Sequence, residues 1–482
     1  MSERLRSDDM AFLVTESAST PMHNATLEIF APPVGAGDTF DYDALVGLIA
    51  DRIAFVPRYR QRLQTVPGRV ASPVWVDDDD FDLTFHVRRS ALPRPGSIEQ
   101  LRELTARIVS RQLDRNRPLW EVYLIEGLEG GRFAILTKSH QVLVDGVSTV
   151  DLGQVILDVA PEQGDTVSDD WRPQPSPSPA KMLADAIGDT IRHPRTAIAT
   201  ARDNAESTLR SAGSAGLRAL DALGALSSLR ASPDSPLSAM LSEQRRFTTV
   251  RTTLEDYRRV RRRHGGTVND VILATITGAL RAWLMTRAET VHGSRTLRAM
   301  VPMSVIDNDL EPTSLGSQVA GHLLNLPIGE PSPVVRLHQV SYALKAHKET
   351  GRAVAADRLA GVAGFAPTTF HALGSRVAAA QTRRGFNLVI TNVPGPQFPL
   401  YAAGAQMLDT YPVPPLLPGH ALAIGVTSYD GHVYFGLNAD RDAVPDLDVL
   451  AQCLTEALEE LVDSASDSRP RAPRGRKKVS KT

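Results

Sequence analysis

Along this chain the spacing of hydrophobic and polar positions changes period repeatedly, and each change predicts an element. Ile98, Leu101, Leu104 and Ile108 recur at helical spacing. They follow Ser97-Ile98-Glu99-Gln100, a capping box in which Ser97 and Gln100 each satisfy a backbone N–H of the other. Leu119 to Ile125 and Phe133 to Ser139 flank Glu129-Gly130-Gly131-Arg132 and read as a hairpin. The return strand is apolar on both faces (Phe133, Ala134, Ile135, Leu136), which predicts a central place in its sheet. Farther on, Thr253 to Arg263 reads as a helix closed by Gly265-Gly266. Asn269 or Asp270 caps the next helix, with Ile272, Ile276, Leu280 and Leu284 on one face. Leu297 to Val305 is strand-like, and Phe386 to Val393 is a strand stopped by Pro394-Gly395-Pro396. Ala421 to Tyr429 and His432 to Leu437 form a hairpin on Asp430-Gly431, and Leu447 to Val462 is a final helix. The fold class is therefore α/β with mixed sheets, because the hairpins exclude an all-parallel arrangement.

The stretches between these elements divide the chain. Residues 164 to 181 are rich in Pro, Ser and Asp, a linker signal. From Ala180 to about Leu229 the composition turns to Ala, Leu, Arg and Ser, with Leu217, Leu220, Leu223 and Leu226 every third residue. The expected plan is an N-terminal domain over 1–163, a linker and helical connector over 164–244, a C-terminal domain over 245–465 and a basic tail over 466–482. A length of 482 residues accommodates two large domains. With 42% hydrophobic and 22% charged residues, a disordered or fibrous chain is excluded. A net charge of −2 does not call for a nucleic-acid partner, and the basic tail has no aromatic interleaving to suggest one. Cys453 is the single cysteine, so no intrachain disulfide forms, and a reducing compartment fits. No run of 18 apolar residues occurs, and MSERLRSDD lacks the apolar stretch of a secretory signal; any meeting with a membrane is expected to be peripheral.

Most chemical signatures do not occur. There is no His-x-x-x-His pair, and Glu289-x-x-His292 has no second copy, so no metal site is expected. Gly-x-Ser-x-Gly, Walker A and Gly-x-Gly-x-x-Gly patterns do not occur either. One segment differs, Thr137-Lys138-Ser139-His140-Gln141-Val142-Leu143-Val144-Asp145-Gly146. A strand delivers His140 to its end, and an Asp-Gly turn follows. A His beside an Asp there serves either as a general base whose loop the Asp orients or as a structural His beside an ordinary turn.

That segment resembles the His-His-x-x-x-Asp-Gly motif of the bacterial wax ester synthase/diacylglycerol acyltransferases, a family similar in fold to chloramphenicol acetyltransferase and condensation domains. Further blocks resemble the family in order: Thr20-Pro21-Met22-His23, Arg117-Pro118-Leu119-Trp120, Thr267-Val268-Asn269-Asp270-Val271, Val301-Pro302-Met303-Ser304, Leu315-Gly316-Ser317-Gln318-Val319, Thr391-Asn392-Val393-Pro394-Gly395-Pro396, and Asp440-Arg441-Asp442 with Val444-Pro445-Asp446. The resemblance implies two chloramphenicol-acetyltransferase-like domains joined by the helical connector, with a channel between them. It implies acyl-CoA as co-substrate, no cofactor, and diacylglycerol or a long-chain alcohol as acceptor, giving triacylglycerol or wax ester. It also implies that the motif's second His takes the hydroxyl proton, that Asp145 holds the loop, and that Gly146 leaves room beside the thioester. Pro118, Leu119, Trp120, Asn269, Asp270, Gln318 and Asn392 are its further substrate-side positions. The implied location is the cytoplasm, or the periphery of the inner membrane face or of lipid inclusions.

The departure is Gln141, which occupies the second-His position and leaves His140 alone. A carboxamide has no useful basicity near neutral pH. Neighbouring strand residues point to opposite faces, so His140 replaces the missing base only if the loop leaves strand geometry or a water relays the proton. The expectation is a slow acyltransferase, its His140 ring aimed into the cleft, or a silent homologue that binds acyl-CoA or neutral lipid. Trp120 reads as packing or as channel lining, and Asn269 and Asp270 as caps near the channel. Asn392 reads as bonding backbone in a tight turn, with oxyanion contact as the alternative. Arg258, Arg259, Arg261, Arg262 and Arg263 read as a solvated helix face or a dock for CoA phosphates, and the basic tail as a solvated end or a contact for anionic headgroups.

Overall fold

The computed structural model of the chain describes residues 3–32, 40–54, 56–143, 152–162, 171–192, 235–304, 319–349 and 385–466. Asp145, Gly146, Gln318, most of the connector and the basic tail lie outside the described residues. In chain order the first half holds α1 (Ser7–Thr15), β1 (His23–Phe30), α2 (Tyr42–Ile53), β2 (Gln61–Gln64), β3 (Val74–Asp77), α3 (Leu83–His86), β4 (Val87–Ala91), α4 (Ile98–Ser110), β5 (Trp120–Glu126), β6 (Phe133–His140), α5 (Leu152–Ile156) and α6 (Pro179–Arg192). The second holds β7 (Arg245–Thr253), α7 (Leu254–His264), α8 (Val268–Thr286), β8 (Leu297–Ser304), β9 (Val319–Leu326), α9 (Pro333–Glu349), β10 (Leu388–Pro394), β11 (Tyr401–Ala402), β12 (Ala405–Val413), β13 (Leu422–Tyr429), β14 (His432–Asp440) and α10 (Leu447–Ser464).

Two six-stranded sheets organise these elements, in the orders β11-β12-β1-β6-β5-β4 and β7-β14-β13-β10-β8-β9. β6 lies inside the first sheet, as its two apolar faces predict. β10 runs parallel to both β8 and β13, while β13 and β14 form the antiparallel hairpin. That hairpin turns on Asp430 and Gly431 with φ of 41° and 78°, the left-handed pair that matches strand twist. The Ser97–Gln100 capping box opens α4 as expected.

The two halves are not joined simply end to end. β12 belongs to the second half by sequence but pairs antiparallel with β1, from Ala25↔Val413 to Glu28↔Thr410. Where it leaves the second sheet it crosses Gly425 and Gly436, which face each other in the β13–β14 register. A Cβ on Gly436 would stand 1.7 Å from the Pro412 carbonyl oxygen, and one on Gly425 2.7 Å from Pro412 Cβ. The glycines are needed because no side chain fits beneath the crossing strand. Tyr429 and Tyr434 tie it down, their hydroxyls donating to the carbonyls of Met407 (2.9 Å) and Leu408 (3.0 Å).

Two cores result. The first gathers Leu27, Leu101, Ile135 and Leu136 and also takes in Phe247, Met300 and Phe386 from the second half. The second surrounds α8. α8 is capped by Thr267, not by Asn269 or Asp270. Thr267 Oγ1 accepts from the Asp270 N–H (3.1 Å), and Asp270 Oδ2 accepts from the Thr267 N–H (2.9 Å), a capping box with Asp in third place. Its burial goes all round rather than along one face, because α7, α9 and α10 all pack on it. By length and composition α8 could cross a membrane; here it is the buried core helix of the second lobe.

Candidate active site

The end of β6 is fixed from one side by the end of α4. His23 stands opposite His140, and Ala25 opposite Lys138, so His23, Lys138 and His140 share a face. A helix leaves its last carbonyls without intrahelical partners. Here the sheet supplies them. Lys138 Nζ donates to the carbonyls of Ile108 (3.1 Å) and Arg111 (2.6 Å), and His23 Nε2 donates to that of Val109 (2.8 Å). The ammonium also complements the negative end of the helix dipole. Burial pushes the Lys138 ammonium down to about 8, although the Glu121 carboxylate at 3.7 Å opposes the shift. Burial, and then Lys138, holds the His23 imidazole well below its ordinary value.

His140 accepts a hydrogen bond at one ring nitrogen and faces a carboxylate with the other. The Val142 N–H donates to Nδ1 (3.1 Å), which leaves the proton of a neutral ring on Nε2. Nε2 faces Glu16 Oε2 at 3.4 Å, and both side chains are 1% exposed. Arg115 donates to the same oxygen through Nε (3.0 Å) and Nη2 (2.6 Å), and the Met22 N–H donates to Oε1 (3.2 Å). Burial alone would raise the Glu16 carboxyl, but His140 and then Arg115 outweigh it and hold it well below the carboxylate range. The expected aim of the His140 ring into a cleft is therefore not what the structure shows. A desolvated carboxylate requires donors, which Arg115 and the Met22 N–H supply, while His140 Nε2 stands beside it without a hydrogen bond to it.

Gln141 is equally buried, and its N–H donates to the Met22 carbonyl (2.9 Å). The strand and its register end at His140, and Gln141 opens a 3₁₀ turn through Leu143, so the loop leaves strand geometry directly after the histidine. The face of the sheet opposite His140 carries Ser139 and Asn24. On that face both amide atoms of Asn24 and the hydroxyl of Thr26 are buried with no partner among the described residues. Groups of this kind are what a water or a polar ligand satisfies.

The other predicted positions fall into two sets. Pro118, Leu119 and Trp120 belong with His140, whose N–H donates to the Leu119 carbonyl (2.9 Å). Trp120 is fully buried, donates through Nε1 to the Tyr59 carbonyl (2.7 Å) and stacks on His86 at 4.6 Å. In the second lobe Asn392 Nδ2 donates to Asn269 Oδ1 (2.6 Å), and Asp270 Oδ2 accepts from Ser341 Oγ (2.8 Å). The Asn392 side chain thus reaches a side chain and not turn backbone, because β10 carries Asn392 as a strand residue opposite Val426. Among the described residues no hydrogen bond or ion pair joins the two sets. The arginines of α7 lie on an exposed face, where Arg262 and Arg258 meet Glu255 and Arg259 meets Ser466.

Sequence reasoning did not single out Glu16, Arg115, Lys138 or Arg245. Arg245 bridges the lobes: it donates to the Ser19 carbonyl and stands 3.7 Å from Asp440, with both side chains nearly fully buried. Burial pulls its guanidinium down to about 10 against the opposing effect of Asp440. Thr20-Pro21-Met22-His23 was the available signal for this region, since it places the backbone that receives Gln141 and the ring opposite His140.

Two lobes, each built on a six-stranded mixed sheet, with a histidine turn at the end of β6 in the first, define the two-lobed condensation-domain fold. The first condensation domain of the CDA synthetase shares that fold at 15% identity, with a TM-score of 0.53 over 96% of this chain and 97% of the other. The match narrows from there. Residues 5–272 match the wax ester synthase/diacylglycerol acyltransferase catalytic domain, and residues 315–462 match the WS/DGAT C-terminal domain. The wax ester synthase/diacylglycerol acyltransferase from Marinobacter aquaeolei VT8 is 28% identical with a TM-score of 0.67, covering 96% of this chain and 99% of that one. The Mycobacterium tuberculosis H37Rv protein named "Probable diacyglycerol O-acyltransferase tgs2" is 35% identical over 94% of this chain and 97% of its own length. The chain belongs to the wax ester synthase/diacylglycerol acyltransferase family, a family of O-acyltransferases.

Proposed function

We propose that this chain transfers the acyl group of acyl-CoA to the hydroxyl of diacylglycerol or of a long-chain alcohol, and does so slowly. The acceptor oxygen attacks the thioester carbonyl while its hydroxyl proton passes to water, the C–S bond breaks, and the CoA thiolate leaves and takes up a proton from water in turn. No cofactor takes part. The observation that carries the rate is Gln141, buried where the family motif has its proton-accepting His and followed by Val142, whose N–H occupies His140 Nδ1. Gln141 supplies hydrogen bonds to a hydroxyl or thioester oxygen but takes no proton. His140 in this arrangement holds the loop through Glu16 and Val142. The fatty substrates make a lipid surface the natural working place of the reaction.

A second reading is a silent homologue that binds acyl-CoA or neutral lipid. The burial of the His140 ring, with Nδ1 taken by the Val142 N–H and Nε2 turned to Glu16, favours it. Thiol release from palmitoyl-CoA with dioleoylglycerol or hexadecanol decides between them, run on wild type, His140→Ala and Gln141→His side by side. Slow release by wild type and a gain of about 10²- to 10⁴-fold in Gln141→His are expected. Background release by wild type with restored turnover in Gln141→His establishes the silent reading. Background release by every form, with either acceptor, rejects the acyltransferase.

A further inference from the structure

α4 packs directly against β7, and Arg102 bonds Thr249 across the contact. A cleft of about 780 Å³ opens beside that contact, lined by α4, the start of β7 and the first turn of α10. Cofactor and small-molecule sites fall in the range of about 300–1,000 Å³. From Glu99 to Ser110 the wall formed by α4 is roughly 16 Å long at 1.5 Å per residue. β7 is an edge strand.

Five arginines line the space, Arg102, Arg107, Arg245, Arg246 and Arg441, against the acids Glu99, Glu103 and Asp448. Three of the five are already engaged. Arg102 donates to the hydroxyl and the carbonyl of Thr249, both at 2.9 Å. Arg441 donates to Gln244 Oε1 (2.8 Å), and Arg245 holds Ser19 and Asp440. Arg107 and Arg246 have no hydrogen bond or ion pair among the described residues, and Nε of Arg246 is buried without a partner. Thr248 is 1% exposed, and its hydroxyl is also buried and unpartnered. An unpaired buried donor is costly, and guanidinium forks match phosphate oxygens.

We propose that this cleft docks the phosphorylated nucleotide end of acyl-CoA, with the guanidinium groups of Arg107 and Arg246 as direct contacts. The assignment rests on acyl-CoA being the donor. Two lining residues connect the cavity to the His140 site. Arg245 donates to the carbonyl of Ser19, three residues beyond Glu16, and Ser110 follows Val109, whose carbonyl holds His23 opposite His140. The arginine run on α7 is the poorer dock, because Glu255 and Ser466 already occupy three of its guanidinium groups on an open helix face.

The test is calorimetric titration of the full chain with CoA, adenosine 3′,5′-bisphosphate, pantetheine and inorganic phosphate, on wild type, Arg107→Gln and Arg246→Gln. CoA is expected to bind at least about tenfold more tightly than pantetheine, which lacks the nucleotide. Each variant should weaken CoA and the bisphosphate by about tenfold and leave pantetheine unchanged. Arg107 is exposed, so its replacement does not endanger the fold. Unaltered CoA affinity in both variants overturns the proposal. Inorganic phosphate that competes as well as the bisphosphate also overturns it, by reducing the cavity to a general anion site. Binding is read without turnover, so absent acyl transfer with arginine-dependent CoA binding rejects the transferase reading alone. Observed transfer with arginine-independent CoA binding rejects the dock alone.

Discussion

The two lobes meet in two ways, and the contrast between those places explains where this protein keeps its chemistry. At the crossing strand β12 the junction is closed: Pro412 lies against Gly425 and Gly436, and tyrosine hydroxyls bond the strand's backbone from the second sheet. Beside the α4–β7 contact the junction is open, with an arginine-lined cleft and buried groups that lack protein partners among the described residues. The closed junction uses backbone packing, which tolerates no added atom. The open one uses long polar side chains, which position the lobes and leave space. Rigidity at the first is what allows a gap at the second to keep its shape.

Gly436→Ala should break the closed junction most severely. Its Cβ meets a backbone carbonyl, so β12 must move, at a cost of about 3 kcal/mol or more. Urea unfolding measures this, and a wild-type midpoint would show that the crossing strand is not tightly packed. Glu16→Gln comes next, at about 2–3 kcal/mol at neutral pH, because it removes the carboxylate that receives Arg115 and faces His140. The sign of its pH dependence follows from the depressed carboxyl. The stabilisation is fully present above the unfolded value of 4.5 and is lost as pH falls below it toward the folded value. Wild type should lose midpoint in that acid window, and Glu16→Gln should lose less there; equal acid losses in the two forms would contradict the pairing. The smallest effect belongs to the open junction. Arg102→Ala removes two hydrogen bonds from a part-buried site and should cost about 1–2 kcal/mol. A loss as large as that of Gly436→Ala would mean that the open junction is as structural as the closed one.

Much of the scaffold could be read from local pattern. The α4 capping box, the Asp430–Gly431 hairpin, the central place of β6 and the closing helix all match their sequence signals. The α8 cap was misplaced because Asp270 stands third in the helix, where its carboxylate returns the bond of the Thr267 cap in a capping box. The site was only half legible. The motif around His140 stands out in the sequence, but its carboxylate partner lies 124 positions away at Glu16, with no local signal to link them.

By itself, the sequence determined the elements, the family resemblance and the replacement of the expected base by Gln141, since each depends on residue type and short-range spacing. Only the tertiary structure decided that β12 joins the first sheet, that His140 faces Glu16 and accepts from Val142, and that an arginine-lined cleft remains beside the α4–β7 contact. Those outcomes depend on which distant segments lose water together. A buried carboxylate takes whatever donors the packing brings, and a strand pairs wherever an open edge lies within reach.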